Sequence, residues 1–361
     1  MSPPQRATKA FLFIETQFDN LGDALINREL LRSLAAHAEV IVATARMPED
    51  FKAMMGPEVF DHLVVDPASD RSRFLFGILA RALRGERCFV FLSPGGWIGE
   101  IDGRLNLRSG LHTVLYHALS RAGVRICQLG VSYEDIGPKL RRLMRRRSGA
   151  IYRHLVRDAA SRAHAESFGV RIDGLCPDLA FAAFDDRAPG PDAVTFSFRT
   201  DQYPGQIADI QAFVSQFMMV YGAARPVYFV AQVKKDLPGN IALAAWFAQT
   251  WRLTAACEDG TRTIAATEAL YRRSRVVVSN RLHALLLAGS VGNAMIAAPI
   301  GDTNKKIRAL FGDVGLAEAV FAPGEPEDAV RARITACLAR GGFAGTVERA
   351  ALSEAVTEMF R

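Results

Sequence analysis

Residues 275–300, RVVVSNRLHALLLAGSVGNAMIAAPI, constrain this chain more than any other stretch. Val276, Val277 and Val278 form a β-branched apolar run with the composition of a buried strand. Ser279 and Asn280 follow as residues suited to cap a helix, and residues 282–288 read as that helix. Gly289 and Gly292 punctuate its end, and residues 294–298 resume a buried strand. Strand, helix, strand is the unit of a parallel sheet. Arg281 and His283 fall at the strand-to-helix junction. In open parallel sheets, ligands bind beyond the carboxyl ends of the strands, where helix N-termini present free N–H groups to anions. The pair therefore predicts a phosphate or carboxylate site; the alternative is a surface arginine beside a capping histidine.

The same alternation runs through the rest of the chain. In the first half, strands are expected at 10–15, 40–43, 63–65, 88–92, 124–129, 152–156 and 172–175. Helices are expected at 24–37, 74–83, 109–122, 139–147 and 158–167. Residues 184–192, FDDRAPGPD, are acidic and rich in Pro and Gly, the composition of a linker. The second half restarts with strands at 193–198 and 227–230 and helices at 207–221, 241–250 and 264–271, with a short strand or loop before the last of these. It closes on helices at 304–311, 327–339 and 346–360. A single core rarely grows to 361 residues. The expected fold class is therefore α/β, with two doubly wound domains facing a cleft: 1–184, 185–345, and a closing helix over 346–361.

Composition narrows the partners. Lys and Arg number 44 against 38 Asp and Glu, a net charge of +6 that favours anionic ligands without choosing among phosphates, nucleic acid and anionic lipid. Cys88, Cys127, Cys176, Cys257 and Cys337 are scattered without metal-ligand spacing and read as buried hydrophobes of a reducing compartment. The first ten residues lack a signal-peptide core, and the longest uncharged run, 284–301, is too broken to span a bilayer. A cytoplasmic protein is expected. GxSxG, P-loop and GxGxxG patterns are absent, as are His, Asp and Glu clusters at ligand spacing, so the expected chemistry is metal-independent.

Candidate site residues recur at the ends of expected strands. They are Asn20, Gly22 and Asp23; Gly95, Gly96 and Trp97; Arg157 and Asp158, with Ser161 one turn on; Arg199 and Asp201; and Arg281 with His283. Taken singly, residues 20–23 also read as a helix-capping turn and Arg199 as a solvated strand end. Three arginines and a histidine converging on one cleft imply a ligand with at least two anionic groups.

These residues carry a resemblance. NLGD (20–23), PGGW (94–97), LGVSYEDIGP (129–138), VRDAAS (156–161), PDLAF (177–181), SFR (197–199), SNRLHALLLA (279–288) and NKKIRALFGDVGL (304–316) resemble the polysaccharide pyruvyl transferase family. The resemblance implies a GT-B-like pair of Rossmann-like domains, with the acceptor on the first and the donor on the second. It implies transfer of pyruvate from phosphoenolpyruvate to a sugar diol of a surface polysaccharide or its lipid-linked precursor, forming a ketal. No cofactor is expected, phosphoenolpyruvate being the co-substrate. Arg157, Arg199, Ser279, Asn280, Arg281, Leu282 and His283 are the expected donor contacts, and Asn20, Gly22, Asp23, Gly95, Gly96, Trp97 and Asp201 the expected acceptor contacts. His283, Arg281 and Asp23 form the expected catalytic set. His283 would give a proton to the vinyl carbon, and either Asp23 or Asp201 would take one from the sugar or merely hydrogen-bond the acceptor. The chain departs from the family in carrying Trp97 after two glycines and Thr200 between Arg199 and Asp201, both near the expected acceptor side. The alternatives are a GT-B glycosyltransferase using a nucleotide sugar, or an anion- or nucleic-acid-binding protein. Nucleic acid is not expected, because no basic stretch is interleaved with aromatics. The basic helix KLRRLMRRR (139–147) is either a solvated face or, through Arg141, Arg142, Arg145, Arg146 and Arg147, a contact with an anionic membrane surface. The latter would place the protein peripherally on the inner face of the plasma membrane.

Overall fold

The structure, a computed structural model, describes residues 8–98, 107–185, 187–188, 190–222, 225–298, 305–321 and 325–361. Residues 1–7, used above to judge a signal peptide, and Asn304, the first residue of an expected helix, lie outside the described residues. The chain divides into two compact units. One comprises Met1–Phe18, Ile26–Ala182 and Ala350–Arg361, the other Asp19–Leu25 and Ala183–Arg349.

The first unit is an eight-stranded sheet whose described pairs are all parallel. Its strands are β1 (Thr8–Phe13), β2 (Glu39–Ala43), β3 (Val64–Asp66), β4 (Arg87–Leu92), β5 (Gly95–Ile98), β6 (Arg125–Tyr133), β7 (Arg153–Val156) and β8 (Gly174–Leu175). They run in the order β3-β2-β1-β4-β6-β7-β8, with β5 paired to β6 off that path. Between them come α1 (Leu21–Ala35), α2 (Glu49–Met55), α3 (Arg71–Leu83), α4 (Leu107–Arg121), α5 (Pro138–Ser148) and α6 (Ala159–Ser167). Phe74, Leu75 and Ile78 of α3 and Leu115, Tyr116 and Leu119 of α4 pack into one core with the sheet, so both helices cover the same face.

The second unit is a five-stranded parallel sheet: β9 (Val194–Ser197), β10 (Val227–Ala231), β11 (Ala255–Asp259), β12 (Val276–Ser279) and β13 (Ala294–Ala297), in the order β11-β10-β9-β12-β13. Its helices are α7 (Gln206–Tyr221), α8 (Leu237–Trp251), α9 (Ile264–Tyr271), α10 (Leu282–Ser290), α11 (Lys305–Asp313) and α12 (Glu327–Arg340). Residues 284–290 of α10 are all buried. A helix covered on every side needs no polar stripe, which accounts for the long uncharged run in the sequence. The last helix, α13 (Thr346–Phe360), ends in the first unit, where the Phe360 ring lies 4.8 Å from Phe89 and 5.7 Å from Phe91.

Several local expectations need correction. The strand expected at 124–129 continues to Tyr133, passing through Gly130 at φ +61°. Beyond the strand expected at 88–92, the residues of SPGGW open a further strand, β5, starting at Gly95 with φ +101°. A Cβ on Gly95 would meet only the tip of the Ile26 side chain, at 2.9 Å, which can turn aside, so it is the positive φ that favours glycine there. The strand expected at 172–175 shrinks to two residues. The N-cap of α10 is Arg281 rather than Ser279 or Asn280, because both of those side chains bond across the sheet. Two arginines of the basic run are not surface charges. Arg147 turns inward, stacking on Tyr116 at 5.4 Å and bonding Thr113 and the Ser109 carbonyl, while Arg141 donates to the Ile136 carbonyl at 2.7 Å. Among the described residues, no helix is long and apolar enough to cross a membrane.

Candidate active site

The carboxyl ends of β9, β10 and β12 lie side by side in the second unit, and three side chains fasten the end of β9 to β12 and to α8. Ser279 at the end of β12 donates its hydroxyl proton to the Ser197 carbonyl of β9 and accepts from the Arg281 N–H at 2.9 Å. Asn280 accepts from the Arg199 N–H at 2.7 Å and donates to the Arg199 carbonyl at 2.9 Å. Asn240 of α8 does the same one residue earlier, bonding the Phe198 N–H at 3.1 Å and its carbonyl at 2.7 Å. Ser279 and Asn280, expected as donor contacts, thus have side chains committed to the β9 backbone. Their effect is to hold Arg199 and Arg281 at neighbouring strand ends.

Arg281 is steadied by a residue that the sequence reading missed. Its Nε lies 2.5 Å from Asp236 Oδ2, and its Nη2 engages the same oxygen. Asp236 follows β10 and is fully buried; burial pushes its carboxyl above the ordinary range, and the Arg281 guanidinium opposes that rise. Beside this pair, Asp201 bridges Arg199 Nε at 2.7 Å and Lys235 Nζ at 3.1 Å. Burial works against ionisation of Asp201, but the two cations outweigh it and hold the carboxyl at about 2. A carboxylate so stabilised is a poor proton acceptor near neutral pH. Lys235 and Asp236 lie in VKKDLPGN, just past a strand end. That position past a strand end was the signal available in the sequence.

The segment Asp19–Leu25 belongs to this same unit. Asn20 forms an antiparallel bridge with Val233, and its side-chain oxygen accepts from the Gly22 N–H at 2.9 Å. Gly22 in the first turn of α1 lies directly against His283 in the first turn of α10. A Cβ at Gly22 would stand 2.4 Å from His283 Nδ1 and 2.6 Å from His283 Cβ. Asn20, Gly22 and Asp23, expected on the acceptor side, and Arg281, Leu282 and His283, expected on the donor side, therefore share one surface. Among the described residues, no three His, Cys, Asp or Glu are grouped so as to hold a metal ion.

The remaining candidates belong to the first unit. Arg157 is correctly placed at the end of β7 but points inward: its side chain is 1% exposed, with Nη1 3.0 Å from Asp178 and Nε 3.6 Å from Asp158. As placed, the expected donor contact is a buried ion pair joining β7 to PDLAF. Asp158 caps α6 through the Ser161 N–H at 2.6 Å, and the Ser161 hydroxyl accepts from the Tyr133 N–H at 3.3 Å. Gly95 and Gly96 lie in β5, and the side chain of Trp97 lies outside the described residues.

Two parallel α/β sheets with alternating helices, the second bearing Arg199, Arg281 and His283 at or just past its strand ends, define a GT-B-like fold. The chain resembles a UDP-GlcNAc 2-epimerase from Neisseria meningitidis solved with UDP-GlcNAc bound, with TM-score 0.56, 10% identity, and 97% of this chain and 99% of that one covered. It resembles a glycosyltransferase from Rickettsia africae with TM-score 0.54 and 8% identity, covering 98% and 93% of the two chains. The UDP-GlcNAc 2-epimerase of Methanocaldococcus jannaschii gives TM-score 0.54 at 10% identity, covering 95% and 98%. Identities this low show the fold alone. No curated protein matches the sequence. The family model of the polysaccharide pyruvyl transferases matches residues 20–292, most of the chain. The protein belongs to that family: it is a pyruvyltransferase, and its acceptor is a glycan.

Proposed function

We propose that this enzyme transfers pyruvate from phosphoenolpyruvate to two hydroxyls of a sugar in a surface polysaccharide or its lipid-linked precursor, forming a ketal and releasing phosphate. The observation that carries the proposal is the meeting of Arg281, His283 and the Gly22–Asp23 turn on one surface of the second unit. It supplies a cation for an anionic donor, an imidazole to give a proton, and a carboxylate to take one.

In this reading the donor's carboxylate and phosphate lie against Arg281 and Arg199, at the N-terminus of α10. His283 gives its proton to the vinyl CH₂, which becomes the methyl group. The first sugar hydroxyl forms a C–O bond at the adjoining carbon and yields its proton to Asp23. Asp201, held at about 2 by Arg199 and Lys235, is poorly suited to take it. The carbon–phosphate ester bond then breaks, the electron pair leaving with phosphate, whose charge the arginines offset. The second hydroxyl closes the ketal, and its proton ends on the phosphate. Asp23 returns its proton to His283 through solvent. No step calls on a cofactor or metal, so turnover should survive EDTA.

The test is His283→Gln, which keeps a hydrogen-bond donor of similar reach without a transferable proton. Calorimetry should show phosphoenolpyruvate affinity largely retained, while ketal formation, read by mass shift, falls ~10²–10⁴-fold. Loss of binding and turnover together would make His283 a binding residue only. Thermal stabilisation by a UDP-sugar but not by phosphoenolpyruvate would replace this reading with the nucleotide-sugar one.

A further inference from the structure

We propose that the face of the first unit built by α3, α4 and α5 docks on an anionic lipid bilayer. These helices, RSRFLFGILARAL, LRSGLHTVLYHALSR and PKLRRLMRRRS, contain 13, 15 and 11 residues and not one Asp or Glu. At the chain's average acid content, that length would carry about four. The helices are neighbours. Ser72 of α3 lies 3.4 Å from His112 of α4, and Arg147 of α5 reaches Thr113 and Tyr116 of α4.

Their outward side combines basic and apolar groups. Phe76 and Leu83, seven residues apart on α3, are 52% and 74% exposed, and Leu111 and Val114, three apart on α4, are 45% and 65% exposed. Single exposed apolar residues are ordinary, but four large ones on adjacent helices mark an interaction surface. Arg73, Arg84 and Arg121 flank them, and Lys139, Arg142, Arg145 and Arg146 are exposed on α5. Those four α5 side chains form no ion pair among the described residues. Cations without counter-charges beside apolar side chains match a surface with anionic headgroups over acyl chains. Nucleic acid would satisfy the cations but leave Leu83 and Val114 in water. The inference is independent of the donor proposed above, and its test needs no turnover.

The full chain should float with phosphatidylcholine vesicles containing phosphatidylglycerol at low salt, and not with phosphatidylcholine alone. Arg142→Gln, Arg145→Gln and Arg146→Gln together should lower partitioning by about 10²-fold, from the usual worth of three basic contacts at an anionic surface. Phe76→Ser with Leu83→Ser should remove the bound fraction that resists added salt. All these positions are solvent-exposed, so melting temperatures should stay at the parent value. Absence of flotation by the parent at low salt would overturn the inference, as would parent-like partitioning of both variants. So would preferential binding of oligonucleotide that is insensitive to the two serine substitutions.

Discussion

Gly22→Ala isolates what the turn at residues 20–23 does. Gly22 has no positive φ, so its backbone does not demand glycine, and alanine is the better helix former by up to ~1 kcal/mol. Local propensity alone would make the substitution harmless or stabilising. The space is what forbids it. The new Cβ would meet His283 Nδ1 at 2.4 Å, Cβ at 2.6 Å and Cγ at 2.7 Å, where carbon contacts normally lie at ~3.5–4.0 Å. Turning the imidazole about its Cα–Cβ bond relieves the ring atoms but not His283 Cβ, which the α10 backbone holds in place. The first turn of α1 or α10 must therefore move by ~1 Å. Overpacking of this kind costs ~1–3 kcal/mol, partly offset by the helix preference. A ~1 Å displacement of a proton donor costs ~10² in rate. Turnover, phosphoenolpyruvate affinity and thermal melting should be measured on one preparation, with Gly22→Ala also made in the His283→Gln background. Turnover should fall ~10²-fold in the parent background and little further in the His283→Gln background, because the two changes act on one group. Parent-like turnover in Gly22→Ala would refute the contact, and a fully additive loss would return Gly22 to the acceptor side.

Other outcomes follow from the buried ionic groups. Asp236→Ala leaves the Arg281 guanidinium without its buried partner and should lower stability by ~3–5 kcal/mol in urea unfolding; a parent-like midpoint would show that Arg281 finds solvent instead. His154, bonded to the Tyr133 hydroxyl at 3.2 Å, is held neutral by burial and pulled down to about 4. Between pH 6.5 and 4 the unfolded chain binds a proton that the folded one refuses, so stability should fall as pH drops through that window, by about 3 kcal/mol in all. His154→Gln should flatten that part of the profile, and an unchanged slope would assign it to other groups.

Much of this protein was legible locally. The strand-to-helix junction at Arg281 and His283 could be placed because a β-branched run, cap-forming residues and punctuating glycines follow one another there, giving the local rhythm of strand and helix. The parallel α/β class and the short list of strand ends follow from that rhythm. It says nothing about which way a charged side chain turns. Arg157 and Arg281 both follow β-branched or apolar runs, and only the fold puts Asp178 against the first, whose side chain is almost completely buried. Asp236 lies 45 residues from Arg281 in the sequence, and only the fold brings the carboxylate and the guanidinium together. Arg147 reads as one more charge in a basic helix, yet the adjoining Tyr116 and Thr113 draw it inward. Gly22 and His283 are separated by most of the chain, and their contact depends on where Asp19–Leu25 packs. An arginine's charge and reach are the same in water and in a core. Its role is set by the partner within about 4 Å, and for residues far apart in sequence only tertiary packing chooses that partner.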